Sequence, residues 1–428
     1  MTKRVLALAA VAATAATSAS AAGLDRSFQS ISPIFNDGGT LSFSHSRVMP
    51  SVTGTDSSGV AYDVGEDYSN TTLAYTHDFS DTFTLGFIVD QPFGADVLYN
   101  GDPTANNLAG TAAALSSEAF TLLGKYQIND RVSVIGGIKG QRVKANVTLN
   151  GVSYGNALAT AQAADGIPGV DSATLGAALL GDPTALGAVG TALGITDPGV
   201  LATTLAGIGA GITAGSAGIT GSGGYRFQMD AETEYGWVVG AAYEIPDIAL
   251  RLAVTYHSAI DYTAATTESV ATTINAPGTV NYETPESLNI EFQTGIAADT
   301  LLLASYRWSA FDDVDVVPTV LGSDLVNLDN GQRFTLGVGR RFNEAWSGTA
   351  ILSYEPKGSD DLVSPLGPTN GLFGISVGGR YVTDNVEFTG GINYSWLGDA
   401  RPEVGGQPVA QFTSNSSVAV GFNVKITF

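Results

Sequence analysis

The sequence predicts an all-β fold, a transmembrane antiparallel β-barrel of about 14 strands with a short N-terminal plug and a helical extracellular loop. Three observations predict this fold. The C-terminal segment alternates apolar and polar residues, the N-terminus has the pattern of an export signal, and short and long connections follow each other along the chain. Because lipid offers the backbone no hydrogen-bond partners, strands that cross a membrane must close into a barrel.

The N-terminus predicts export from the cytoplasm. Lys3 and Arg4 precede an apolar stretch, and Ala19-Ser20-Ala21 has the small-x-small pattern of a signal-peptidase site. The sequence therefore predicts a signal peptide over residues 1–21. The formal charge of −22 comes from 41 acidic and 19 basic residues, so bulk charge does not favour nucleic acid as a partner.

The segment of residues 22–40 shows no sustained period and contains turn formers. We predict that it is a plug inside the barrel whose apolar side chains line a ligand pocket. Arg26 is the only base of this segment, and Phe28 and Phe35 are among its apolar residues. These three residues are therefore predicted to contact the ligand.

Residues 41–428 form the predicted barrel, which includes an Ala- and Gly-rich extracellular loop over residues 151–224. Short turns at one end and long loops at the other are typical of outer-membrane barrels. The tight links are predicted at Ser80-Asp81, Asn129-Asp130, Pro246-Asp247, Ala298-Asp299, Asn343-Glu344 and Asp384-Asn385. The long links are predicted near 51–67, 94–116, 151–224, 268–281, 313–328, 358–370 and 399–411.

The last strand has the plainest alternation, with apolar residues at every second position from Val418 to Phe428. This is the period of two that a strand requires. Taken alone, the segment also fits the edge of a soluble sandwich, although such an edge invites aggregation. The terminal Phe428 resembles the signal that outer-membrane barrels present to their assembly machinery, which is therefore a predicted partner.

Two strands next to the large loop carry the predicted binding cations. In 132–149 the apolar positions change from even to odd, and we predict a β-bulge at Gly140 that turns Lys139 inward. This places Arg142 and Lys144 inside the barrel, where either could hold a ligand carboxylate. By parity, Arg251 and Arg307 also face inward.

The alternative role for these cations is structural. In 225–244, Tyr225, Phe227 and Met229 are predicted to share one face with Tyr235 and Trp237. Asp230, Glu232 and Glu234 would then face inward and pair with Arg142 and Lys144. Both readings remain open from the sequence.

The large loop is predicted to contain short apolar helices over the barrel mouth. No charged residue occurs between Pro198 and Tyr225, and Asp182-Pro183 and Asp197-Pro198 have the pattern of an N-cap followed by a first helical residue. Ser172 is predicted to cap a third short helix, and Asp102-Pro103 has the same N-cap pattern in another long loop. The stretch 199–219 is long enough to cross a membrane, but its Gly, Ala and Thr content favours a surface for hydrophobic ligands or plain loop padding.

No arrangement of residues predicts catalysis, a cofactor or a metal site. The chain contains no cysteine, which excludes thiol chemistry and disulfides. Its three histidines lie on separate predicted strands without the spacing of metal ligands. Gly374-Ile375-Ser376-Val377-Gly378 matches a nucleophile pattern but continues an ordinary strand, whereas that motif needs a strand–turn–helix elbow. The sequence therefore does not predict an enzyme.

Three segments resemble a known family. They are TPESLNIEFQTGIAADTLLLASYRWSAFDDV (284–314), GWVVGAAYEIPDIALRLAVTYHS (236–258) and GQRVKANVTLNG (140–151). They resemble the FadL/OmpP1/TodX family of outer-membrane transporters for hydrophobic compounds. The resemblance implies a barrel with an N-terminal hatch, a hydrophobic groove between the loops, a deeper pocket for long-chain fatty acids and a wall opening. The family's Asn-Pro-Ala hatch motif is absent.

We therefore predict an outer-membrane, multi-pass protein for passive transport of long-chain fatty acids or similar hydrophobic molecules. Its surroundings would be outer-membrane lipid and lipopolysaccharide. A water-filled porin for small polar solutes is the alternative within transport. A structural or adhesive surface protein is the alternative outside transport, and a lipid-modifying enzyme fits least because its residues are missing.

Overall fold

The computed structural model describes residues 24–36, 38–326, 328–358 and 362–428. The predicted signal peptide, residues 1–21, lies outside the described residues, and so do residues 22, 23 and 37 of the predicted plug segment. The limits of these two segments stay predictions.

Fourteen antiparallel strands form one closed sheet, which confirms the predicted fold class. β1 pairs with β14 from Thr40↔Thr427 to Ser51↔Ser416, so the sheet has no free edge. In chain order the strands are β1 (Thr40–Ser51), β2 (Tyr68–Ser80), β3 (Phe83–Asp90 and Gly94–Leu98), β4 (Ala112–Asn129), β5 (Val132–Leu149), β6 (Tyr225–Ile245), β7 (Leu250–His257 and Ile260–Val270), β8 (Thr273–Thr284 and Ser287–Ala297), β9 (Thr300–Ser309), β10 (Gly331–Arg341), β11 (Trp346–Glu355), β12 (Leu372–Thr383), β13 (Val386–Leu397) and β14 (Asn415–Thr427).

The connections follow the predicted order of short and long. All six tight links lie where the sequence predicts them, at the end of the barrel that also holds the start of β1 and the end of β14. Two long links are shorter than predicted. The link predicted at 94–116 is shortened because β3 ends at Leu98 and β4 begins at Ala112. The link predicted at 268–281 is a tight turn, because β7 ends at Val270 and β8 begins at Thr273. The β-branched residues of 263–284 favour an extended hairpin beyond the predicted membrane span.

The longest connection joins β5 to β6 and contains four helices, α1 (Val152–Asp165), α2 (Ser172–Leu179), α3 (Pro183–Leu193) and α4 (Pro198–Gly221). Asp182 and Asp197 cap α3 and α4 as predicted, each side chain accepting hydrogen bonds from two backbone N–H groups. The cap of α2 is Asp171 instead of Ser172. Asp102-Pro103 starts no helix, because the following residues form a turn and then β4. Helix α1 was not predicted.

Helix α4 has the length and apolar composition of a membrane-spanning helix. It packs along α1 at the loop end of the barrel, by which we mean the end that carries the long connections. Single-turn 3-10 helices lie at Ser32–Phe35, Pro246–Ile248 and Phe311–Asp313. Six short loop strands form two small sheets: Thr53–Asp56, Ala61–Asp63 and Ala410–Phe412, and Leu362–Val363, Arg401–Val404 and Gln407–Pro408.

β5 shows that the apolar face changes side along a strand. Toward the short-turn end its apolar side chains Val134 and Ile138 are exposed on the outside of the barrel. Toward the loop end, Val143 and Ala145 are buried on the inside. The bulge predicted at Gly140 is wrong, because pairing with β4 continues without a shift through Phe120↔Gly140. Lys139 does face inward, but by plain alternation.

The physical reason is that the surroundings change with height. Near the middle of the barrel the outside is the band of exposed apolar side chains that a membrane would cover, as Leu122 and Trp237 illustrate. Above this band the surroundings are polar, first lipid head groups and then water. Outward positions there are polar for this reason, and the apolar side chains point into the barrel. The same strand can thus point its apolar side chains outward within the membrane and inward at the loop end.

The bulge lies in β6 instead. The register between β5 and β6 shifts between Val143↔Glu232 and Ala145↔Met229, which inserts one extra residue in β6. Phe227 and Met229 are therefore buried inside, whereas Trp237 is exposed outside. The prediction that these side chains share one face is wrong for this reason, and Asp230 is exposed rather than inward.

A buried carboxylate on β7 fixes the connection between β9 and β10. Glu268 is 0% exposed and accepts a hydrogen bond from the Tyr225 hydroxyl at 2.7 Å. It also accepts bonds from the backbone N–H groups of Val320 at 3.0 Å and Leu321 at 3.1 Å. This one side chain therefore joins two strands to the loop above them.

We predict that Glu268→Ala frees this connection while the barrel itself stays folded. Each donor left without an acceptor costs about 1–3 kcal/mol, so residues 314–326 should become sensitive to protease. Limited proteolysis and heat-resistant gel mobility measure the two effects. Asp261→Ala, which removes an exposed acid of the same strand, is the control. Equal protease resistance in both variants would contradict the assignment.

Candidate functional site

An apolar cavity of about 200 Å³ lies inside the loop end of the barrel, and we call it the upper cavity. The inversion in β5 and the bulge in β6 build its wall, because both turn apolar side chains inward at this height. The apolar strand residues on this side of the cavity include Ala113 and Leu115 of β4, Val143, Ala145 and Val147 of β5, and Phe227 and Met229 of β6.

Loops and helices complete the upper cavity. Val314, Val316 and Leu325 of the β9–β10 connection line it, together with Leu366 and Pro368 of the β11–β12 connection. Helix α4 of the large loop shares one buried apolar cluster with Val143 and Phe227 of the strand wall through Leu205, Ile212 and Ile219. The cavity wall is thus continuous with the apolar loop core.

The floor of the upper cavity carries its charged groups. Arg26 is 8% exposed and forms an ion pair of 2.6 Å with Asp96 on β3. Its guanidinium carbon lies 3.9 Å from the centre of the Tyr68 ring. The other charged residues of the lining are Glu66 and Glu283. Among the described residues that line this cavity, the cation is therefore already neutralised, and the remaining charges are negative.

Residues 24–36 lie within the lumen and are called the plug below. On one side Ile31 and Ile34 are buried in an apolar cluster with side chains of β2 to β6, namely Ala74, Ile88, Leu123, Ile135 and Val238. On the other side the Ser30 hydroxyl donates to Glu291 on β8 at 2.9 Å. The plug thus spans the lumen, with its apolar side held on one wall and its polar side toward the other.

Arg307 faces inward as parity predicts, but its partner is a protein carboxylate. It is 6% exposed and forms an ion pair of 2.5 Å with Asp25 of the plug. It also donates to Asn289 at 2.9 Å and to Ser287 at 3.2 Å. Its geometry is that of an anchor between the plug and β9.

A second cavity of about 160 Å³ lies between the polar side of the plug and strands β7 to β11, and we call it the lower cavity. Arg251 lines it, 8% exposed, with a hydrogen bond of 3.3 Å to Gln293. Its guanidinium lies 4.4 Å from the centre of the Phe35 ring. Phe28 also lines the lower cavity, and the centre of its ring lies 4.4 Å from the guanidinium carbon of Arg333.

These positions change the predicted roles of the plug side chains. Phe28 and Phe35 do not line the upper cavity, where the plug contributes Leu24 and Arg26. They are engaged instead by arginine side chains of the opposite wall. The sequence shows that the plug contains apolar residues, but it does not show which strands each of these side chains contacts. Whether Arg26, Phe28, Phe35, Arg251 and Arg307 contact ligand stays a prediction.

The predicted inward orientation of Arg142 and Lys144 is wrong. Both are exposed on the outside of β5, because Val143 and Ala145 between them occupy the inward positions. Neither side chain can reach the upper cavity from there. Sequence reasoning also missed Asp96 as the partner of Arg26, since the two residues are 70 positions apart. The change of apolar parity in β5 was the available signal for the cavity wall.

The plug also closes a break in the barrel wall. β3 is interrupted between Asp90 and Gly94, and Pro92 within the break has no N–H to donate. The plug backbone pairs there instead: the Arg26 N–H donates to the Pro92 carbonyl at 2.8 Å, and the Gly94 N–H donates to the Leu24 carbonyl at 2.9 Å. A Cβ at Gly94 would collide with the Arg26 guanidinium.

Comparisons with known proteins agree with this architecture. A family model described as outer membrane protein transport protein (OMPP1/FadL/TodX) matches residues 40–428. A comparison with curated proteins finds no match. Similar solved structures include a Pseudomonas aeruginosa FadL homologue, with a TM-score of 0.63, 12% identity and 92% of each chain covered.

Two toluene transporters have similar structures. The P. putida protein TodX has a TM-score of 0.60 and 16% identity, over 92% of this chain and 91% of that chain. The Ralstonia pickettii protein TbuX has a TM-score of 0.58 and 14% identity, over 99% of each chain. At these identities the likeness shows the fold. The family model covers the whole barrel, and the chain belongs to the outer membrane protein transport protein (OMPP1/FadL/TodX) family, which comprises outer-membrane transport channels for hydrophobic compounds and not enzymes.

Proposed function

We propose that this channel takes up uncharged hydrophobic molecules, hydrocarbons above all, through the upper cavity. The observation that carries the proposal is the charge of the cavity lining. Arg26 is paired with Asp96, and the other charged lining residues are acids. An apolar ligand gains about 2.5 kcal/mol for each 100 Å² of surface it buries. A carboxylate in the same place would lose its hydration without meeting a free cation.

The toluene transporters among the structural relatives support this ligand class without establishing it for this chain. Long-chain fatty acids are the second candidate, and one observation favours them. Arg251 in the lower cavity has a neutral amide as its hydrogen-bond partner, so a carboxylate that passed the plug would find a cation there. In this second interpretation the hydrocarbon tail of the fatty acid lies in the upper cavity, and its carboxylate group reaches past the plug into the lower cavity.

The proposed route begins at the apolar loops and ends at the break in β3. Ligand would partition onto the loop surface around α4, enter the upper cavity and move down its gradient without a cofactor. Phe93 within the break is bonded to Ser117 of β4, whereas the opposite edge of the break, at Pro92 and Gly94, is bonded only by plug backbone among the described contacts. A shift of residues 24–26 would therefore open the wall next to the cavity floor.

We predict that Asp96→Asn lets the cavity bind carboxylates. The substitution leaves the charge of Arg26 without its counter-ion, and a charge-assisted hydrogen bond to ligand should tighten fatty-acid binding about ten-fold or more. Binding of an uncharged hydrocarbon of equal chain length should not change. Fluorescent-ligand displacement on purified protein measures both. The control is Asp67→Asn, which removes the acid of the exposed Arg47 pair. Wild-type protein that already binds both ligand classes equally would contradict the proposal.

We predict that Arg307→Met loosens the plug. Removing one partner of a buried ion pair costs about 3–5 kcal/mol because the other charge stays buried, so displaced plug states should become far more populated. Single-channel recordings should then show a higher ion conductance than the wild type. Arg341→Met, which breaks the exposed pair with Asp299 at the short-turn end, should leave conductance unchanged. If both variants conduct alike, Arg307 does not anchor the plug.

We predict that replacing residues 160–220 by a short polar linker lowers uptake at low ligand concentration. The change removes most of the apolar loop core that continues the cavity wall. Barrel stability should change little, because the cost of loop closure varies only logarithmically with length. Uptake by whole cells, measured over a range of ligand concentrations, tests this. If uptake recovers at high ligand concentration, the variant has lost capture but not transport. Unchanged uptake at low concentration would reject a capture role for the loop.

A further inference from the structure

Two cations stand side by side on the outer surface of β5. Arg142 and Lys144 occupy successive outward positions, and both are exposed. Neither makes an ion pair or a hydrogen bond with any residue that the structure describes. This is unusual in a chain with a formal charge of −22. The exposed Arg47 has a carboxylate partner at 2.7 Å, whereas Arg142 and Lys144 have none within the described part of the chain.

Aromatic side chains fix the height of these cations relative to the membrane. Phe120 on β4 and Tyr235 on β6 are exposed on the outside, with ring centres 6.5 Å apart. Gly140 lies between them on β5, covered by the Phe120 ring. Such aromatic girdles mark the interface between hydrocarbon and head groups.

Arg142 is the next outward residue above Gly140, about 7 Å further along the strand. Lys144 is the next outward residue again. The outward side chains below the girdle, Leu122 and Ile138, are apolar and exposed. The two cations therefore lie at the level of the lipid head groups on the loop end of the barrel, which is the extracellular side.

The surroundings of the pair are polar. Ser116 on β4 lies opposite Lys144, and Asn146 pairs in register with Gln228. Two acids are near: Glu118 lies opposite Arg142, and Asp230 is exposed at the bulge of β6. Neither carboxylate comes within ion-pair distance of the two cations among the described contacts, so the donors of Arg142 and Lys144 remain open toward the membrane.

We propose that the outer face of β5 binds the phosphate groups of lipopolysaccharide in the outer leaflet, through Arg142 and Lys144. Phosphate oxygens accept several hydrogen bonds at once, and the planar guanidinium fork matches them in two-fold fashion. An anion at this height on the outside of an outer-membrane barrel is a lipid head group. The neutral amides and the hydroxyl beside the pair suit the sugars that carry those phosphates.

The test compares lipid A that carries both phosphates with the same lipid after the phosphates have been removed. Purified full-length protein in detergent is titrated with each lipid in a buffer free of divalent cations. Wild-type protein should bind the phosphorylated lipid about ten-fold more tightly. The variant Arg142→Gln/Lys144→Gln should lose this preference. The matched control Arg131→Gln/Arg340→Gln removes two exposed cations at the opposite end and should keep it.

A further variant tests the pair without removing it. Glu118→Gln eliminates the acid opposite Arg142, so it should strengthen binding of the phosphorylated lipid several-fold and leave the dephosphorylated lipid unaffected. Heat-resistant gel mobility shows that each variant is folded. Equal binding of the two lipids by the wild type, or a preference that survives Arg142→Gln/Lys144→Gln, would overturn the proposal. Inorganic phosphate that competes as well as the lipid would show a simple anion site instead.

Discussion

Backbone hydrogen bonding that closes around the barrel is the constraint on which the rest of this structure depends. Because β1 pairs with β14, every strand has two partners and none of the sheet edge meets lipid. Closure also fixes the side on which every side chain stands, since the alternation of a strand changes only at a bulge. The polarity of the inner and outer faces can then change only with position along the barrel axis. Polar and charged groups fill the lumen around the plug, and apolar groups line it above.

Pairing decides the chemistry of the interior more than composition does. Arg26, Arg307 and Arg333 are all buried cations, and each meets a carboxylate: Asp96, Asp25 or Glu355. A buried cation alone would attract an anionic ligand, whereas a paired one is a structural tie. Two of these ties hold the plug, so the same contacts that keep the lumen closed also remove positive charge from the ligand path.

Much of the fold could be predicted from the sequence, because its signals are local. Strand alternation, tight turns and the Asp-Pro helix starts at Asp182 and Asp197 each depend on a few neighbouring residues. The site could be predicted only in part. A period of two gives two faces of a strand but not which face is inside, and the solvent on each side changes as the strand leaves the membrane. The parity change in β5 therefore has two readings, and the one that placed Arg142 inside is wrong. Long-range partners such as Asp25 and Arg307 leave no local trace.

The position of the plug has a consequence for biogenesis. The plug runs directly into β1, and β1 is one side of the seam that closes the barrel. Its contacts reach β3 on one wall and β8 and β9 on the other, so it occupies space that a finished barrel encloses. Zipping the first strand onto the last therefore encapsulates the segment that precedes it.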